Sequence, residues 1–160
     1  IKARCFNEPM PQLSSPSKKL EEKRGAFVCL HAGEDLRGCI GMIEAKDSLW
    51  ETVRNMAVQA AFSYPRFCAV RADEIPDLDI EISVLTPLQP LTDIGQIEIG
   101  KHGLFIKKGY RSGLLLPQVA AERGWSAVEF LEWTCKKAGL PGDSWKDPDA
   151  EVFVFSADVF

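Results

Sequence analysis

The chain is poor in the residues that most often announce chemistry. It has two histidines in 160 residues, and its five cysteines (Cys5, Cys29, Cys39, Cys68 and Cys135) include no CxxC pair. Structural zinc sites draw on closely spaced Cys and His pairs, so no metal site is expected; the nearest approach is Cys29 and His31 with Cys39 beyond them. An odd number of scattered cysteines also predicts free thiols in a reducing compartment rather than a disulfide framework. GxSxG, HExxH, a Walker loop and GxGxxG are all missing, which removes the common hydrolase, zinc-protease and nucleotide-binding signatures. No cofactor is expected.

Basic excess is missing too. Nineteen Lys and Arg against 23 Asp and Glu leave a formal charge of −4, and gripping a polyanion needs a clustered basic surface. Nucleic acid is therefore not an expected partner, and the short cluster Lys107, Lys108, Arg111 reads as a solvated turn before a phosphate site. No apolar run approaches the roughly 20 residues that span a bilayer, and Ile1 does not begin a signal peptide. The expectation is a cytoplasmic protein without membrane contact, whose natural start lies upstream of Ile1.

What is present is an ordinary globular balance, 46% apolar and 26% charged, in a chain long enough for one domain with its own core. Residues 1–24 read as an extended lead-in, because Pro9, Pro11 and Pro16 bar a continuous helix. Ala26–Ala32 and Leu36–Gly41 form a hairpin around GED. If Ala32 pairs with Arg37, Cys39 faces Leu30; a shift of one residue puts it opposite Cys29, and the sequence leaves the register open. Asp47 or Ser48 caps a helix to about Phe62, which Tyr64-Pro65 ends. Leu78–Leu85 alternates as a strand, followed by strand candidates at Ile97–Ile99, Gly103–Lys107 and Gly113–Leu116. Pro117 opens a helix that Gly124 closes, Ser126 with Glu129 forms a capping box for another, and Glu151–Phe155 is a final strand. The irregular order predicts an α+β fold with a mainly antiparallel sheet flanked by helices.

Among groups that could do chemistry, Cys39 lies in LRGCIG between Gly38 and Gly41, which leave room for a tight backbone or a ligand. A reactive thiol needs a cation nearby; Arg37 is close in sequence, yet neighbouring strand residues face opposite ways. The competing reading is a small packed thiol. His102 in GKHGLF suits acid/base work near neutral pH, or is a solvated turn residue. Glu81 sits mid-strand, on a solvated face or in a cleft. Arg66 in YPRF and Gln118 in LLLPQVA mark the lips of a pocket or the edges of elements.

RGAFVCL, LRGCIG, YPRF, LDIEISVLTP, KHGLFIKKG, GLLLPQVA and FLEWTCKKAGLPGDSW occur in order. Together they resemble the AMMECR-domain family, whose prokaryotic members are also called AmmeMemoRadiSam system protein A. The resemblance runs from about Arg24 to Phe155 and implies one such domain over 25–160, with a larger and a smaller lobe. It implies a pathway shared with a Memo-like protein and a radical S-adenosylmethionine enzyme, but no established reaction. It marks Arg37, Gly38, Cys39, Gly41, Arg66, Glu81, His102, Gly103 and Gln118 as motif positions. At Cys29 the family commonly has threonine or another small polar residue, which weighs against a disulfide there and singles out Cys39. Two functions follow. In one, Cys39 is nucleophile or carrier, His102 and Glu81 serve acid/base chemistry, and Arg37, Gly38, Gly41, Arg66 and Gln118 bind a small-molecule substrate. In the other, the protein is a non-catalytic adaptor that docks on those partners.

Overall fold

The computed structural model describes residues 1–14 and 17–160; Pro16, one of the three prolines above, lies outside the described residues. The chain forms two compact units, the larger comprising Ile1–Leu85 with Asp158–Phe160 and the smaller Thr86–Ala157. Among the described residues the strand pairings within each unit are antiparallel, and helices pack on the sheets, so the fold is α+β. Among the described residues no helix is long and apolar enough to cross a membrane.

In the larger unit, β1 (Ala26–Ala32) is the central strand between β2 (Asp35–Met42) and β3 (Leu78–Leu85). The lead-in carries two single-turn helices, α1 (Lys2–Cys5) and α2 (Lys18–Glu21). Helix α3 (Leu49–Phe62) begins at Ser48, whose hydroxyl accepts the Glu51 amide while Glu51 reaches back to the Ser48 backbone. These reciprocal bonds satisfy two amides that a helix start otherwise leaves open. Alternation along β1 sends Ala26, Val28 and Leu30 to one face of the sheet, where α3 covers them. Val28 and Leu30 are fully buried with Met56, Ala60 and Val70, and Ala26 packs with Leu49 and Val84. The end of the chain joins this unit through paired backbone bonds between Ile82 and Phe160.

The smaller unit holds β4 (Gln89–Pro90), β5 (His102–Lys108), β6 (Arg111–Leu115) and most of β7 (Glu151–Val159), in the order β6-β5-β7-β4. Helices α4 (Pro117–Arg123) and α5 (Ala127–Lys137) cover it, burying Phe130, Leu131 and Ala120 against Leu104 and Val154. Gly124 ends α4 at φ 64°, a left-handed value natural to glycine.

The strand expected at Ile97–Ile99 does not form. A 3-10 turn over Ile94–Gln96 precedes it, with the Gln96 side chain accepting from the amides of Thr92 and Asp93. The Lys101 and His102 amides then both turn back to the Glu98 carbonyl. Local bonds thus take up the backbone groups a strand partner would need.

Candidate functional site

The hairpin register decides what lies beside Cys39. Gly33 and Glu34 make a two-residue turn, with Gly33 at φ 62°, and Ala32 faces Asp35. A bulge then intervenes: His31 faces Leu36 but Leu30 faces Gly38, so Arg37 is the extra residue on β2. Without it Cys29 would face Gly38. With it Cys29 stands directly opposite Cys39, with 4.0 Å between their Cα atoms, and the two sulfurs form a disulfide. The spacing of the five cysteines predicts free thiols, and the structure corrects this for two of them. Cys5, Cys68 and Cys135 are free. Cys135 is fully buried, which pushes its thiol pKa up and away from reactivity.

The same alternation that turns Val28 and Leu30 toward α3 turns Phe27 and Cys29 to the other face. On β3, Glu81 faces Cys29 and Ser83 faces Phe27. Cys39, Cys29 and Glu81 therefore form one row across three strands, each roughly 5 Å from the next in the pairing direction. Gly41, Phe27 and Ser83 form the adjacent row. Cys29 and Ser83 are buried, Cys39 and Glu81 half-buried, and the Ser83 hydroxyl has no hydrogen-bond partner among the described residues.

The glycines of LRGCIG are crowded from within the unit. A side chain at Gly38 would meet the Ala60 carbonyl of α3, and one at Gly41 would run into the Phe27 ring. Bulging aims Arg37 away from the row. Its Nε and one terminal nitrogen donate to the two oxygens of Glu74 at 2.7 and 3.2 Å, and the other terminal nitrogen donates to the Cys68 carbonyl at 2.9 Å. This fork-on-carboxylate geometry holds the Glu74 pKa below the usual carboxylate range. Arg66 follows α3 on an exposed turn with its guanidinium carbon 5.9 Å from the centre of the Phe67 ring, and Arg37 lies 5.8 Å from the same ring.

His102 and Gln118 belong to the smaller unit. At the start of β5, His102 has Nδ1 2.9 Å from the Gln96 carbonyl and 3.2 Å from the Glu98 amide, so the tautomer fixes which of them it bonds. Gln118 lies in the first turn of α4, and its side-chain oxygen is buried without a hydrogen-bond partner among the described residues. Of the sequence candidates, the larger unit thus brings Cys39 and Glu81 onto one face and turns Arg37 elsewhere. Cys29, between them, is not among the sequence candidates: the resemblance weighs against a disulfide there, and the one-residue register alternative is what places it opposite Cys39. Among the described residues no three His, Cys, Asp or Glu side chains converge as a metal site.

Comparison with known proteins supplies the lineage. The AMMECR1 family model matches residues 1–160. Protein MK0488 of Methanopyrus kandleri is 47% identical over 154 residues, covering 91% of this chain and 74% of its own length. Protein NEQ441 of Nanoarchaeum equitans is 45% identical over 150 residues, 89% of this chain and 83% of its own. The crystal structure of the uncharacterized protein PH0010 from Pyrococcus horikoshii superposes with a TM-score of 0.88 at 40% identity, over 98% of this chain and 81% of that one. None of these names states an activity.

Proposed function

Since the chain belongs to the AMMECR1 family, we propose that it is a component of a pathway shared with a Memo-like protein and a radical S-adenosylmethionine enzyme, contributing thiol–disulfide exchange at Cys39. The supporting observation is the row Cys39–Cys29–Glu81 on one sheet face. In the reduced protein the Cys39 thiolate attacks one sulfur of a substrate disulfide, and the first substrate thiolate leaves as a mixed disulfide forms. The Cys29 thiolate then attacks the Cys39 sulfur, expelling the second substrate thiolate and closing the intramolecular disulfide. Two electrons pass from the protein dithiol to the substrate disulfide. Glu81, facing Cys29, accepts the proton that this second thiol must lose.

Glutathione disulfide tests this on the reduced protein carrying Cys68→Ser, which removes the exposed free thiol. Cys29→Ser should then accumulate a one-to-one mixed disulfide at Cys39 by mass spectrometry, whereas the version with Cys29 intact proceeds to its internal disulfide. An adduct that never forms at Cys39, or one that persists equally with Cys29 present, sinks the idea. The adaptor reading draws on a different observation, the exposed Phe67 stacked on Tyr64 beside Arg37 and Arg66, since aromatic and arginine side chains anchor protein interfaces. Pathway function retained in Cys39→Ser would leave the adaptor reading alone.

A further inference from the structure

The face of the larger unit that α3 covers is not fully filled. Between the start of α3, the α2 turn and the chain end lies a cavity of about 520 Å³, within the range of small-molecule sites. Leu49 and Val84, both nearly inaccessible, form its floor. Trp50 and Phe160 line its sides, and Phe160 is 75% exposed. Leu20 of α2 packs on the Ala26, Leu49 and Val84 cluster, which ties the lead-in to the cavity.

Charge is confined to the rim. Arg24 Nε donates to the Leu85 carbonyl at 2.9 Å, which holds the guanidinium in place. One of its terminal nitrogens lies 3.5 Å from Asp158, whose side chain is largely in water, so that pairing is weak. Lys19 makes no ion pair among the described residues. The rim side chains carry two cations, Lys19 and Arg24, against one carboxylate, Asp158, on a protein whose formal charge is −4.

An apolar chamber with a positive lip matches a ligand with an apolar body and one anionic head. We propose that this cavity binds an aliphatic carboxylate, its chain between Trp50 and Phe160 and its head group at Lys19 and Arg24. Burial of the chain supplies the affinity, and the charge-assisted contact at the rim selects the head. The site lies on the opposite sheet face from Cys39 and does not depend on thiol chemistry.

Decanoate, decanol and decyltrimethylammonium, titrated separately into the full natural chain and followed by amide NMR, test the assignment. Decanoate should give saturable shifts at Leu20, Leu49, Trp50 and Val84 and bind roughly tenfold tighter than decanol, with the cation weakest. Lys19→Glu, at an exposed position, should erase the preference for decanoate over decanol in a protein whose amide spectrum is otherwise unchanged. Val53, on α3, also lines the chamber, and Val53→Trp, which fills it, should abolish binding of both. No saturable binding, equal binding of all three, or decanoate binding that survives in a folded Val53→Trp protein overturns the proposal. Adsorption to phosphatidylglycerol vesicles that decanoate does not displace also overturns it, because the occupant would then be a membrane surface.

Discussion

Gly38 and Gly41 bracket Cys39 for different reasons. Gly38 is on the face that α3 covers, and a methyl group there would press on the Ala60 carbonyl, part of a helix backbone that cannot step aside. Gly41 makes room for the Phe27 ring on the other face. Gly38→Ala should therefore destabilise the protein by about 1–3 kcal/mol, the usual cost of overpacking, read as a lower urea midpoint with an unchanged slope. A substitution without effect on the midpoint would show that α3 does not sit as closely as described. The close approach at Gly38 was not legible from LRGCIG, because the crowding atom comes from α3, 22 residues further along the chain. The role of Arg37 was hidden for a similar reason: only the bulge reveals that its side chain leaves the row and forks onto Glu74.

Elements whose ends are decided by neighbours in sequence were the most legible. The capping box of Ser126 with Glu129 occurs where the residues predict it, and of the two caps open for α3, Asp47 or Ser48, the structure takes Ser48, which pairs reciprocally with Glu51. At α5 the Ser126 hydroxyl accepts the Glu129 amide, and Glu129 accepts from the Ser126 backbone at 2.8 Å. Because α5 carries Phe130 and Leu131 into the core of the smaller unit, loosening its first turn should be felt by that whole unit. Ser126→Ala should cost about 1 kcal/mol, and Ser126→Asp, which keeps an acceptor, much less. Equal losses in chemical denaturation would assign the effect to packing rather than capping. The strand expected at Ile97–Ile99 failed because its alternation is short and Asp93, Gln96 and Glu98 offer nearer partners to the backbone. Hairpin register was likewise open, since strand alternation is blind to a one-residue bulge until the two strands are laid side by side.

Over the whole molecule, the shifted carboxylates set the response to acid. Glu51, Glu74, Glu98 and Glu129 are all held below their ordinary pKa, Glu51 chiefly by the Ser48 side chain, Glu74 by Arg37, Glu98 by Lys101 and Glu129 by the Ser126 backbone. A carboxylate whose folded pKa is depressed stabilises fully above its unfolded value and loses that contribution as the pH falls through the folded one. Stability should therefore decline below about pH 4.3, where unfolded glutamate begins to hold its proton. The gap in urea midpoint between the wild type and Glu74→Gln should be open at pH 7 and close as the pH drops below that value. A gap of constant width from pH 7 to pH 2 would mean that the Arg37 pairing does not depend on the Glu74 charge. By itself the sequence determined the α+β class, the strong strand at Leu78–Leu85, the helix caps and the family, because each rests on neighbours in the chain or on ordered motifs. Tertiary structure alone decided that Cys39 lies against Cys29 with Glu81 beyond it, and that α2, α3, Asp158 and Phe160 border an apolar pocket. These are contacts between segments far apart in sequence, and strand pairing and packing must bring them together before any local pattern can report them.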